Sequence, residues 1–205
     1  MKRKDCLEKL VARVPEDTIM VANLGNTSTL LMELRPSDAN LYPMNLGCCT
    51  GVGLGVAMAL PHRKVIVLDG DGNLLLNLSA LPDLANENPG NLAIIVFDNQ
   101  CYECCGAQPT ATAGAADLEV IARGSGIKNS RTVRDLKEFE KAIQDILTAS
   151  EPVFVVAKVE RDGEAIHMPF GHNATEIKFR FVRYIEGTEK INIIPKARGA
   201  RIDLT

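Results

Sequence analysis

Short, nearly unbroken apolar runs recur along this chain, separated by stretches with helical periodicity. Val65–Leu68, Leu92–Phe97 and Val153–Val159 are almost wholly hydrophobic, and Ile19–Ala22 is a fourth run of the same kind. A strand of a parallel sheet is buried on both faces and so loses the alternation of an exposed one, which is the pattern seen here. Between the runs, Gly51–Leu60 is built from small and apolar residues. Leu74, Leu78, Leu81 and Leu84 fall at helical spacing, and Asp135–Thr148 places Leu136, Phe139, Ile143, Ile146 and Leu147 on one face. Strand–helix–strand repetition predicts an α/β fold, a doubly wound and mainly parallel sheet with helices on both faces.

The connections are less regular. Asn86–Asn91 is dense in turn residues, and residues 100–116 lack periodicity, which predicts a long loop over the sheet edge. After Glu160 the pattern changes. Asn173 followed by Glu176 has the form of a capping box opening a helix through Ile177–Ile185, and the last twenty residues read as an extended tail. The expected organisation is therefore one domain over residues 1–160 and an extension over 161–205 that packs on it or on a partner subunit.

Composition narrows the function. A net charge of −3 gives no basic excess for nucleic acid, and no apolar run approaches the ~20 residues that span a bilayer. The basic start Met1-Lys2-Arg3-Lys4 lacks a following apolar core, so the chain is expected to be cytoplasmic. The six cysteines are then expected as thiols. Cys101, Cys104 and Cys105 suggest a metal cluster, but Cys48-Cys49 are adjacent rather than spaced for zinc, so packing or site lining is the better reading.

The chemistry concentrates in Val65-Ile66-Val67-Leu68-Asp69-Gly70-Asp71-Gly72-Asn73. A buried strand runs into an Asp-Gly-Asp-Gly turn and then a leucine-rich helix. Glycines there let the backbone approach an anion, with the N–H groups of Gly72 and Asn73 free to meet it. A second strand ends at Asp98-Asn99, and a right-handed crossover brings both ends to one edge of the sheet, where ligands of open α/β sheets bind. Side-chain oxygens of Asp71 and Asn99 then converge on one ion, and Mg²⁺ suits such hard donors and shares itself with phosphates. Gly51-x-Gly-x-Gly has the wrong spacing for a dinucleotide fingerprint and is read as close helix–sheet packing. His167 and His172, and the basic Lys178, Arg180 and Arg183, are read mainly as solvated residues.

These residues resemble the thiamine diphosphate (ThDP) enzymes. Gly70-Asp71-Gly72, 26 intervening residues and Asn99 match that family's metal motif, with Asp98 where the family usually has a first Asn. Asn23-Leu24-Gly25-Asn26-Thr27-Ser28, Asn45-Leu46-Gly47 and Gly106-Ala107-Gln108-Pro109-Thr110 extend the resemblance to the sulfopyruvate and phosphonopyruvate decarboxylases, over about residues 5–160. The resemblance implies Mg²⁺ held by Asp71, Asn99 and the Cys101 carbonyl. It implies ThDP contacts at Leu46, Gly47, Gly70, Gly72, Asn73 and Tyr102, with Leu46 as the apolar residue over which the cofactor bends. Glu103 and Gln108 are weaker candidates for lining. The departure is Cys101-Tyr102-Glu103-Cys104-Cys105, where the family has a small, Gly- and Ser-rich loop.

The domain that binds the aminopyrimidine and supplies the catalytic glutamate is not matched. Glu33, Glu103 and Glu119 are available carboxylates, but nothing marks one of them for that role. The resemblance therefore implies the β-type subunit of a decarboxylase for a small anionic 2-oxo acid, partnered by an aminopyrimidine-binding α-type subunit in a hetero-oligomer, or forming a homodimer. Alternatives are the β chain of a 2-oxoacid:ferredoxin oxidoreductase or an acetolactate synthase-like enzyme, or a non-catalytic ThDP-binding module.

Overall fold

A computed structural model describes residues 1–42, 45–163 and 173–194. In chain order the strands are β1 (Ile19–Ala22), β2 (Asn40–Leu41), β3 (Val65–Gly70), β4 (Leu92–Asp98), β5 (Cys101–Tyr102), β6 (Gln108–Pro109), β7 (Ser130–Val133) and β8 (Val153–Lys158). The helices are α1 (Arg3–Val11), α2 (Asn26–Leu34), α3 (Cys49–Ala59), α4 (Asp71–Leu75), α5 (Ala80–Glu87), α6 (Leu118–Gly124), α7 (Leu136–Thr148) and α8 (Ala174–Glu189). Six strands form one parallel sheet in the order β2-β1-β3-β4-β8-β7, while β5 and β6 pair antiparallel as a separate ribbon.

The sheet is buried on both faces, as its apolar runs require. Met20, Ile66, Leu68, Ile95 and Val155 point toward α1, α2 and α7, whose Leu7, Leu31, Phe139 and Ile143 fill that side. Val21, Val67, Ile94 and Val156 point the other way, onto Leu54 of α3, Leu84 of α5, Ala122 of α6 and Phe181 of α8. Local signals start the helices where expected. The Asp135 side chain accepts the Glu138 N–H at 2.9 Å, and Asn173 accepts that of Glu176 at 2.9 Å. The expected helix at 177–185 is part of α8, which runs on to Glu189 and is capped by Lys190 in a left-handed turn.

Three expectations need correction. The leucine period of 74–84 is not one helix: the chain leaves helix after Leu75 and re-enters at Ala80, because Asn77 turns its amide back to the Gly47 carbonyl at 3.0 Å. Residues 100–116 are not a featureless loop but carry the β5–β6 ribbon and two short 3-10 turns. In α3, only Gly53 makes the close approach to the sheet; Gly51 and Gly55 face open space. His167 and His172 lie outside the described residues, as does the tail beyond Ile194. Among the described residues no helix is long and apolar enough to cross a membrane.

Candidate active site

From β1 the chain moves outward to β2 and then returns across β1 to β3. That reversal opens a crevice between the carboxyl ends of β1 and β3, where open α/β sheets place ligands. Asn23 and Gly25 follow β1, Gly70 and Asp71 end β3, and Asn99 follows β4. These residues line one cavity, together with Leu46, Gly72, Asn73, Cys101 and Tyr102. Of the sequence-predicted residues, Gly47 and Gln108 are not wall residues; Gly47 is the chain neighbour of Leu46, and Gln108 lies in β6.

Asp69, immediately before the predicted motif, organises the floor. Its carboxylate accepts from Thr50 Oγ1 at 2.7 Å, from the Gly70 N–H at 2.8 Å and from Asn73 Nδ2 at 2.5 Å. Complete burial pushes its carboxyl above the ordinary range, against the pull of these bonds. Asn73 Oδ1 in turn accepts the Gly47 N–H at 2.8 Å. Gly47 has φ +78°, a conformation that favours glycine, and its two bonds to Asn73 and Asn77 hold Leu46 at the cavity mouth, 45% exposed.

Asp71 opens α4 and is itself buried. Its Oδ2 accepts from Thr110 Oγ1 at 2.5 Å and from Thr112 Oγ1 at 3.1 Å. Burial raises its pKa above the usual carboxylate value; the bond from Thr110 opposes this, and the nearby Asp98 adds to it. Among the described residues no basic side chain pairs with Asp71. A buried carboxylate compensated by two hydroxyls and the Gly72 N–H, with no positive charge, favours a cation beside it.

Asp98 is also buried, but it is compensated. Lys158, at the end of β8, pairs with its Oδ2, while Oδ1 accepts the Gln100 N–H at 3.1 Å and stands 2.8 Å from Thr112 Oγ1, whose one proton Asp98 shares with Asp71. Gln100 has φ +61°, and its side-chain amide donates to the Thr112 carbonyl at 2.8 Å. This tight turn carries the chain from Asn99 into β5. Asn99 Oδ1 accepts the Cys101 N–H at 3.1 Å, and Tyr102 lies across Gly72 so closely that a Cβ there would stand 2.4 Å from the ring. Gly72 is therefore fixed by contact as well as by the motif.

Asp71, Asn99 and Cys101 line this one cavity, and side-chain and main-chain oxygens of these residues are hard donors of the kind that would fit Mg²⁺. Asn23 Oδ1 is buried without a hydrogen-bond partner among the described residues and adds a polar group on the β1 side of the same cavity. Among the described residues no three His, Cys, Asp or Glu side chains are grouped to hold a metal ion, and that includes the cysteine-rich ribbon.

The three carboxylates weighed for acid–base work are engaged elsewhere. Glu33 pairs with Lys4, and Glu119 with Arg123. Glu103 lines the cavity, but its Oε1 accepts the Asp162 N–H at 2.6 Å and its Oε2 the Arg3 guanidinium at 3.3 Å. Arg3 Nη1 also meets Asp162, which accepts from Asn26 at 3.0 Å. Glu103 thus ties the ribbon to α1 and to the segment after β8, whose Asp162 in turn holds α2 through Asn26.

Sequence reasoning missed Asp69, Thr50, Thr112, Asn77 and Lys158. Only Asp69 carried a usable signal, a carboxylate at the end of a wholly apolar strand. The others reach the site through tertiary contact.

A family model described as the C-terminal TPP binding domain of thiamine pyrophosphate enzymes matches residues 34–157. This chain belongs to that family. As a ThDP enzyme domain it is 33% identical to the sulfopyruvate decarboxylase subunit beta of Methanocaldococcus jannaschii, over 90% of this chain and 97% of that protein. It is 36% identical to the subunit of the same name in Methanothermobacter thermautotrophicus, over 91% and 97%. Identity to the phosphonopyruvate decarboxylase of Streptomyces viridochromogenes is 34%, over 73% of this chain but 37% of that protein. Among solved structures, a ThDP-dependent 4-hydroxybenzoylformate decarboxylase of Rhodococcus jostii superposes with a TM-score of 0.69 at 23% identity, over 80% of this chain and 33% of its own. That likeness bears out the doubly wound α/β fold.

Proposed function

We propose that this chain is the diphosphate- and Mg²⁺-binding subunit of a ThDP-dependent decarboxylase acting on a small anionic 2-oxo acid of the sulfopyruvate or phosphonopyruvate type. The observation that carries this is the match to relatives named as decarboxylase subunits. The chain matches 97% of relatives named subunit beta, but only 37% of a phosphonopyruvate decarboxylase from the same similarity range. The subunit naming of these relatives supports a partner chain, here an aminopyrimidine-binding α-type subunit carrying the catalytic glutamate. The occupied state of Glu33, Glu103 and Glu119 supports that assignment. Residues 1–160 would form the cofactor domain and 161–205 its extension, with α8 closing one side of the sheet.

In this reading ThDP supplies the electron sink for the carbon–carbon bond that breaks. The chain's share is anchoring. Asp71, Asn99 and the Cys101 carbonyl hold Mg²⁺, and the amides of Gly72 and Asn73 meet the diphosphate. Leu46 bears on the cofactor from the mouth, while Tyr102 fixes Gly72 and limits water at that wall.

The test is co-expression with the α-type chain, followed by assay on sulfopyruvate, phosphonopyruvate and pyruvate. Turnover is expected only with both chains, ThDP and Mg²⁺. Asp71→Ala should remove the Mg²⁺-dependent thermal stabilisation by ThDP, which at 100 times the dissociation constant is about 2.7 kcal/mol. An assembled complex inert toward the whole panel would refute the decarboxylase reading. An unchanged ThDP response in Asp71→Ala would refute the anchoring site.

A further inference from the structure

The ribbon that closes the cavity carries two exposed cysteines that are neighbours in sequence. Cys104 and Cys105 share the 3-10 turn Glu103–Cys105, and both line the cavity with Asp71 and Asn99. Cys104 Sγ rests against the turn after β1, 3.5 Å from where a Cβ on Gly25 would stand. The turn is held on either side. Glu103 is tied to Arg3 and the Asp162 N–H, while Gly106 and Ala107, at φ +87° and +59°, return the chain so that Ala107 N–H reaches the Tyr102 carbonyl at 3.0 Å. Cys6 and Cys49, by contrast, are sealed in the core; burial raises both thiols, and burial followed by the neighbouring Cys105 raises that of Cys104 as well.

We propose that Cys104 and Cys105 form a vicinal dithiol that a two-electron oxidant of the peroxide class closes into a disulfide, and that closure disables the cofactor site reversibly. One thiolate attacks hydrogen peroxide: an S–O bond forms, the O–O bond breaks, and the departing hydroxide takes a proton to leave as water. The second thiol attacks the sulfenic sulfur: the S–S bond forms, the S–O bond breaks, and hydroxide leaves as water with the thiol proton. Two thiols lose two electrons and two protons, and one peroxide becomes two waters.

Geometry explains why this bond would switch rather than staple. Consecutive Cα atoms stand about 3.8 Å apart, short of the ~4.4–6.8 Å usual across a disulfide, so the ring is strained. Strained and exposed disulfides are the readily reduced ones. Closing the ring must rearrange the 103–105 turn, draw Cys104 from Gly25 and pull on Glu103. Tyr102, adjacent to Glu103 and lying on Gly72, moves with it. The functional half of the proposal rests on the cavity being the ThDP site; the chemistry of the pair does not.

The experiment uses the two-chain complex and limiting hydrogen peroxide, read by peptide mass and by the ThDP–Mg²⁺ melting shift. The expected mass result is a loss of two hydrogens on the peptide holding Cys104 and Cys105. The melting shift should vanish with it and return with dithiothreitol. C104S and C105S should each retain after peroxide whatever shift they showed before. Peroxide that converts Cys48 or Cys101 while Cys104 and Cys105 stay reduced would overturn the proposal, as would a mapped disulfide that leaves the shift intact. Absence of any shift in untreated protein is a separate failure, that of the ThDP reading, and the mass result distinguishes the two.

Discussion

At position 98 a carboxylate stands where ThDP enzymes usually carry a carboxamide, and its neighbours show how the chain accommodates it. One oxygen still accepts the Gln100 N–H, as an Asn side chain would, so the turn into β5 is kept. The other oxygen, which a carboxamide would replace with a donor, meets Lys158 instead. Removing the lysine would strand a buried charge beside Asp71. Lys158→Met is therefore expected to lower stability by roughly 3 kcal/mol, toward the low end for a broken buried pair because the ammonium is partly exposed. Urea denaturation measures it. Adding Asp98→Asn should return most of the loss; a double variant no better than the single one would show that Lys158 contributes by packing rather than charge.

The same economy of space governs the elements, most clearly where α3 crosses the sheet. A methyl on Gly53 would lie 2.1 Å from Val67 Cγ2, so Gly53→Ala should cost about 1–3 kcal/mol through overpacking. Two residues on, Gly55 meets open space, and Gly55→Ala should gain up to about 1 kcal/mol from helix propensity. Opposite signs in paired thermal melts would bear out the packing; equal signs would not. How much of this the sequence discloses depends on burial. β1, β3, β4 and β8 are legible because each is covered on both faces and so almost continuously apolar. β2 has only two residues, and β7, with Ser130, Arg131 and Thr132, is a polar edge strand, so neither leaves a hydrophobic run. The leucines of 74–84 report which side chains are buried, Leu74, Leu81 and Leu84 among them, but not whether the backbone between them stays helical. Gly70-Asp71-Gly72 and Asn99 are legible because backbone approach and metal chemistry restrict residue type at each position. Thr112 and Lys158 are not, since many residue types could end a strand or follow a ribbon, and only the assembled sheet brings them to Asp71 and Asp98.

For the molecule as a whole, the core carries its own pH limit. Burial pushes the Cys6 thiol up from 9.0 to about 12 and the Tyr42 hydroxyl from 10.0 to about 12. The folded state thus keeps protons that the unfolded chain releases. Their stabilisation is complete below about pH 9 and declines as pH rises toward 12, by about 1.4 kcal/mol per pH unit for Cys6 alone. The urea midpoint should fall over that window, and Cys6→Ala should flatten the decline; an identical slope in the variant would assign alkaline unfolding elsewhere. A different compromise is set at Gln100. A non-glycine side chain at φ +61° costs on the order of 1 kcal/mol, yet its amide holds the Thr112 carbonyl beside the two buried carboxylates. Gln100→Gly should therefore melt no lower than the parent while binding Mg²⁺ more weakly, measured by calorimetric titration. A selection for heat resistance would accept that substitution and lose catalyst in doing so, which makes thermal tolerance the wrong criterion for improving this ribbon.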